Sequence, residues 1–173
     1  MNNKIFSMDA ETNGLWGNAF SIGAIVTDQK GVLIKEFVAR CPIEGEVDCF
    51  VKEKVLPQMT GVEITHDNYE SMLKDFMSFY MENKEEADII VHMGLPVESK
   101  LFLDAHELGY IGDWDGPYPL IDVSAFPEIG TSVDSYNRKH NINIPKVTGE
   151  THNPLYDSWS ALLAYVNICQ SLD

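Results

Sequence analysis

The chain has 173 residues, 45% of them apolar and 23% charged, with 27 acidic side chains against 12 basic ones. The length predicts one domain over residues 1–173, and the apolar share is enough for an ordinary core, which excludes intrinsic disorder. The net charge of −15 excludes general attraction to duplex DNA, anionic membranes and other polyanions.

No apolar run approaches the roughly 20 residues that a membrane span requires. Cys41, Cys49 and Cys169 are odd in number and lack Cys-x-x-Cys spacing. With no leader-like segment ahead of the first strand-like run, reduced thiols in a cytoplasmic protein are expected.

In chain order, Lys4–Asp9 reads as a strand, and Phe20–Thr27 and Val32–Arg40 as two more. Asp28-Gln29-Lys30-Gly31 between the last two predicts a hairpin turn. From Val47 the period becomes helical, with Val47, Phe50, Val51, Val55 and Leu56 recurring until Pro57 stops them. Tyr69–Met81 is a longer helix, whose aromatic residues Tyr69, Phe76, Phe79 and Tyr80 are expected in the core. Ala87–Met93 reads as a buried strand, Glu98–Leu108 as a helix closed by Gly109, and Tyr118–Val123 as a fifth strand. A short helix over Val133–His140 and a long apolar one over Asn153–Leu172 complete the chain, and Gly109–Pro119 is a loop within the domain. Three leading strands followed by alternating helices and strands predict an α/β fold: a mixed five-stranded sheet flanked by helices.

The chemical signal lies in two short segments. In Met8-Asp9-Ala10-Glu11-Thr12-Asn13-Gly14-Leu15, Asp9 and Glu11 stand two apart on a strand and share a face. Two carboxylates so placed raise one another's proton affinity unless a cation lies between them, and hard ions such as Mg²⁺ or Mn²⁺ suit them. Taken alone, Asp-x-Glu favours the bland reading of a solvated strand end entering an Asn-Gly turn. The second segment is His152-Asn153-Pro154-Leu155-Tyr156-Asp157. Asn153 suits an N-cap and Pro154 the first helical position, leaving His152 in the preceding loop, free to fold back over the site Asp157 faces. An imidazole is suited to take a proton from water at neutral pH. A surface histidine and a solvated helix carboxylate fit that segment equally well.

Together the segments resemble the DEDDh family of 3′–5′ exonucleases, of ribonuclease-H-like fold. The family's first motif, Asp-x-Glu-Thr-Thr-Gly-Leu, differs from residues 9–15 only at Asn13, and His-x-x-x-x-Asp at the start of the last helix matches His152 and Asp157. The small size and the Val55-Leu56-Pro57 helix end are similar to the compact exoribonucleases of the group. The middle motif departs: where an Asp is usual, Glu98 stands three residues before Leu101-Phe102. The alternatives for Glu98 are a solvated residue at a helix N-terminus, or an insertion with the family Asp lost.

The resemblance implies a two-metal hydrolysis of terminal phosphodiesters of single-stranded RNA or DNA, RNA favoured, releasing nucleoside 5′-monophosphates. It implies that Asp9, Glu11 and Asp157 hold two divalent cations, Mg²⁺ or Mn²⁺, with Glu98 nearby through water and His152 as general base. Thr12, Asn13 and Gly14 would contact the terminal nucleotide, with Leu15 as a wedge against the next base. Trp16 is a stacking candidate or a core residue, and Arg138, Lys139 and Lys146 are a basic group for upstream phosphates or a solvated cluster. Asp104 is expected to be solvated, Asp122 to have structural work, and His66, His106 and His140 to be surface or packing residues. Many relatives pair into dimers, and no membrane partner is implied. The alternatives are an inactive acidic binding protein on the same fold, and a hydrolase of very short oligonucleotides or small nucleotides.

Overall fold

In a computed structural model of the chain, which describes residues 2–145 and 151–171, a five-stranded sheet lies between two pairs of helices. The strands are β1 (Lys4–Thr12), β2 (Ala19–Asp28), β3 (Leu33–Arg40), β4 (Ala87–Val91) and β5 (Leu120–Asp122). The helices are α1 (Tyr69–Asn83), α2 (Val97–Glu107), α3 (Val133–Lys139) and α4 (Pro154–Ser171). Strand order is β3-β2-β1-β4-β5, antiparallel among β1, β2 and β3 and parallel from β1 to β4 and from β4 to β5. This is the mixed sheet expected from the chain order. Among the described residues, no helix is long and apolar enough to cross a membrane.

Both faces of the sheet are covered, so alternate residues of β1 enter different cores. Phe6, Met8 and Ala10 pack with Met72, Phe76 and Tyr80 of α1 and with Leu101 and Phe102 of α2. Ile5 joins Ile25, Ile90, and Trp159, Leu162 and Val166 of α4 on the other side. The row that begins with Ile5 continues through Ser7, whose hydroxyl donates to Ser158 O on α4 at 2.8 Å. Asp9 and Glu11 are the next members of that row and emerge on the α4 face.

Local rules account for the joins. Asp28 Oδ1 accepts the Lys30 and Val32 amides, and Gly31 adopts φ +80° in the β2–β3 hairpin turn. Asn68 caps α1 through Ser71 N, and Asn153 Oδ1 caps α4 through Leu155 N. β1 runs three residues beyond Asp9, and β5 is shorter than expected because Tyr118 stands exposed outside the sheet. The expected end of the last helix at Leu172 lies outside the described residues.

Two expectations need correction. The segment after Val47 is not a regular α-helix: a π-helical turn spans Val51–Val55 and a 3₁₀ turn Leu56–Gln58. Leu56 N donates to Val51 O, a wider step that buries Val51 and Val55 and leaves Phe50 54% exposed. Asp104 is not simply solvated. It accepts the Tyr69 hydroxyl at 2.6 Å and pairs with Lys100 one helical turn earlier, tying α2 to α1.

The contact that places the site is between β2 and the first turn of α4. A Cβ on Gly23 would lie 2.5 Å from Pro154 C and 2.8 Å from Leu155 N, both backbone atoms that cannot swing aside. The Ser158 hydroxyl closes the contact, 2.7 Å from Pro154 O and 3.2 Å from Gly23 O. Gly23→Ala is therefore expected to push α4 outward and destabilise the protein by about 1–3 kcal/mol, as overpacking does. A thermal melt should show a loss of roughly 3–10 °C for a chain of this size. An unchanged melting temperature would mean that α4 is not held against β2.

Candidate active site

Gly23 is the register partner of Asp9, and Ser21 that of Glu11. Seating α4 on Gly23 brings Asp157, in its first turn, over the end of β1. One carboxylate oxygen each from Asp9, Glu11 and Asp157 lies within 4.8 Å of the others. Asp9 Oδ2 is buried and has no hydrogen-bond partner. A buried acceptor left unpaired among other acceptors lacks a donor or a cation, and this donor set of hard oxygens fits a divalent metal ion.

Glu98 reaches the same cleft from the first turn of α2 and is only 3% exposed. β4 pairs with β1 only as far as Ile90, and the Ala10 amide beyond that point donates to Glu98 Oε1 at 2.9 Å. Glu98 therefore carries a structural bond to β1, and it stands outside the cluster formed by Asp9, Glu11 and Asp157. Asp122 has the structural work expected of it. It accepts Met93 N at 3.0 Å, Gly94 N at 3.1 Å and Ser124 N at 2.9 Å, which fixes the turn between β4 and α2. Burial raises the Asp122 pKa, but these hydrogen bonds outweigh it and hold the carboxyl below its usual range.

His152 adopts φ +72° and turns its backbone N–H onto Asp157 Oδ2 at 2.7 Å. This left-handed residue brings the loop back over α4, which no regular helix allows for positions five apart. Its Nδ1 lies 3.9 Å from Glu11 Oε1, and the Phe50 ring meets the imidazole edge-on at 5.6 Å. Thr151 Oγ1 donates to Asp134 Oδ2 at 3.1 Å, and Ser160 Oγ of α4 donates to Asp134 Oδ1 at 2.9 Å, so α3 anchors the loop.

The cleft between these elements has a volume of about 310 Å³. Burial pushes the Asp9 carboxyl well up, reinforced by Asp157, Glu11 and Glu98. Asp157 is raised by burial and by Glu11, against the His152 amide that lowers it. Glu11 is pushed up to about 7 by burial, and Glu98 to about 8 by burial despite the Ala10 bond. Burial lowers His152, leaving a neutral imidazole at pH 7.

Among the described residues, none of the other predicted ones lines this cleft. Gly14, at φ +78°, turns the chain after β1 and leaves Leu15 61% exposed and Trp16 73% exposed, so Trp16 is not a core residue. The Asn13 side chain donates to Glu46 O and accepts from Asp48 N, which leaves Thr12, Asn13 and Gly14 only backbone groups for a ligand beyond the Thr12 hydroxyl. Arg138 and Lys139 are exposed at the end of α3, and Lys146 lies outside the described residues. His66 and His106 sit on Asp75 and Asp113, and His140 stacks on Tyr136. Three residues about the cleft have no signal in the sequence motifs: His92, Asp134 and Phe50.

No protein-family model matches the chain, and no curated protein sequence matches it either. Solved structures do. E. coli exonuclease I in complex with a 5cy-dT13 oligonucleotide superposes with a TM-score of 0.68 at 11% identity, over 99% of this chain and 41% of that one. Exonuclease X in complex with 5′-overhanging duplex DNA gives 0.62 at 14% identity, over 96% and 92%. A zinc-bound E. coli exonuclease I–single-stranded DNA complex gives 0.63 at 12% identity, over 100% and 41%. The fold is that of exonucleases I and X. The chain spans about two-fifths of exonuclease I and nearly all of exonuclease X.

The raised carboxyls of this exonuclease-type fold make its stability pH-dependent. Glu11 and Glu98 keep their protons in the folded state up to about 7 and about 8, whereas the unfolded chain releases them near 4.5. The folded state thus binds more protons between those values, and its stability is greatest below the unfolded pKa and is lost as pH rises through the folded ones. In chelator, the melting temperature should fall from about pH 5 to about pH 8, and Mn²⁺ should restore it at the upper end. Glu98→Gln should flatten the fall. A profile that Glu98→Gln leaves unaltered would show that the Glu98 charge is not strained in this cleft.

Proposed function

We propose that the chain is a metal-dependent 3′–5′ exonuclease that shortens single-stranded nucleic acid and releases nucleoside 5′-monophosphates. The observation that carries this reading is the convergence of Asp9, Glu11 and Asp157 around an unpaired buried oxygen, with the His152 imidazole held beside them. Asp9, Glu11 and Asp157 would hold the ions, with Glu98 buried in the lining of the same cleft. Bound divalent cations supply positive charge to the phosphodiester and lower the pKa of water.

His152 takes the proton as water attacks phosphorus. Its ring is neutral, so a lone pair is available, and its backbone N–H keeps Asp157 oriented at the same time. The bond from phosphorus to the 3′ oxygen of the penultimate nucleotide breaks. That oxygen leaves on the shortened strand and gains a proton, and the terminal nucleotide departs as a 5′-monophosphate. Glu11 can accept a hydrogen bond from the terminal 3′-hydroxyl, which would make a chain end the required substrate. Leu15, exposed in the turn after β1, can wedge against the next base.

Net charge narrows the substrate. With −15 overall and a cleft lined by carboxylates, long duplexes are repelled, while a short single-stranded end can be held by ions at one place. The resemblance to compact exoribonucleases supports RNA, and the DNA ligands of exonucleases I and X support DNA. The test is incubation of 3′-labelled single-stranded RNA and DNA with Mg²⁺, with Mn²⁺ and with chelator. Stepwise, metal-dependent loss from the 3′ end is expected; no cleavage together with no metal binding by calorimetry would overturn the reading in favour of an acidic binding protein.

Three variants probe the roles. His152→Ala should lose about 10²–10⁴-fold in turnover and still bind metal, whereas Asp9→Ala should lose both. Glu98→Gln keeps an acceptor for the Ala10 amide and removes the charge. Turnover that falls at least about tenfold without loss of melting temperature would assign the charge to the ions, and unchanged turnover would leave Glu98 its structural bond alone.

A further inference from the structure

Phosphate oxygens entering the cleft need hydrogen-bond donors, and the cleft is poor in them. Asp9, Glu11, Glu98, Asp134 and Asp157 are acids, and the hydroxyls of Thr151 and Ser132 already donate to Asp134 and Ser135. Met93, Val97 and Val133 have no donor in their side chains. Two imidazoles remain. His152 is occupied with water in the reading above, which leaves His92.

His92 follows the last residue of β4. Lys4–Ser7 of β1 run parallel to Ala87–Ile90 of β4. That pairing ends at Ser7 and Ile90, two residues short of Asp9 and His92. Ser7 and Ile90 both face α4, so the residues two further on face the same side, and His92 does line the cleft with Asp9. Asp122 holds the turn that follows through the Met93 and Gly94 amides, so the backbone beneath the ring is fixed.

The ring itself is uncommitted. It is half-buried, and no hydrogen bond or ion pair engages it among the described residues. Burial lowers its proton affinity against the pull of Asp122 and Asp134, which leaves a neutral imidazole with one N–H to donate.

We propose that His92 is a substrate-binding residue whose ring N–H donates to a non-bridging oxygen of the phosphodiester lying over Asp9. The inference rests on the nuclease reading and adds the phosphate-facing donor that an otherwise acidic cleft lacks. It also gives a parallel strand end a function distinct from the carboxylates: β1 brings the ligands for cations, and β4 brings a neutral donor for the anion.

The test compares His92→Phe, which keeps a ring without a donor, with His92→Gln, which keeps a donor without the ring. Binding of a 5′-fluorescein oligothymidylate with phosphorothioate linkages is followed by anisotropy in Mn²⁺, Mn²⁺ affinity by calorimetry, and KM and kcat on the unmodified oligomer. His92→Phe should bind the oligomer about tenfold more weakly and raise KM with Mn²⁺ affinity unchanged, the loss expected for one hydrogen bond to a charged group. His92→Gln should recover most of that binding. Wild-type binding by His92→Phe, equal weakening in both variants, or a fall in Mn²⁺ affinity would each overturn the assignment, the last by making His92 a metal ligand. A wild-type protein that neither binds nor shortens the oligomer in Mn²⁺ overturns the nuclease reading itself, and the assignment with it.

Discussion

The close approach of α4 to β2 at Gly23 is the contact on which the rest of the site depends. β1 can present Asp9 and Glu11 on one face by alternation alone, but a third carboxylate must come from elsewhere in the chain. It arrives because a residue without a side chain lets the backbone at Pro154 rest on the sheet directly opposite Asp9. Ser7, Ser158 and Gly23 then form a polar seam between the apolar core below and the carboxylates above. The left-handed turn at His152 follows from the same placement, since its amide finds Asp157 only when the loop folds back over the first turn of α4.

That placement concentrates like charge where the protein is least able to screen it. Burial and mutual repulsion raise the proton affinity of Asp9 and Asp157 and carry Glu11 and Glu98 into or above the neutral range. Two remedies exist: protons, which remove the site's ability to attract cations, or divalent ions, which use it. In the proposed reading, the acidity that repels polyanions elsewhere would become at this one point the means of holding them, because each bound ion would bring two positive charges into a cleft of about 310 Å³. A neutral donor such as His92 fits that electrostatics better than a lysine would, since a lysine would compete with the ions for the same carboxylates.

Some features departing from the family pattern have physical counterparts. Glu98, longer than aspartate by one methylene, spans the gap left where β4 ends and satisfies the Ala10 amide. Asn13, in place of threonine, bridges Glu46 O and Asp48 N, and Asp48 in turn caps the turn that carries Phe50. Phe50 had the spacing of a core residue, yet the wider π-helical step turns it out to meet the edge of His152.

Strand and helix order, the β2–β3 hairpin, the cap at Asn153, and the pairing of Asp9 with Glu11 were all legible in the sequence. Each depends on residues a few positions apart, where alternation, helical period and turn chemistry act directly. The last motif was legible as spacing, and so was the position of His152 outside the helix. Other features were not: that Glu98 spends an oxygen on β1, that Asp104 is tied to Tyr69, that Asp134 braces the His152 loop, and that His92 lines the cleft with Asp9. These depend on which strands neighbour each other and how closely a helix approaches the sheet, and residues from 17 positions apart, as Asp134 and Thr151 are, to 88, as Ala10 and Glu98 are, carry no local pattern that reports it. The sequence by itself determined which chemical groups this protein has and the elements that carry them; the tertiary structure alone decided which of them meet, because burial and charge act through space rather than along the chain.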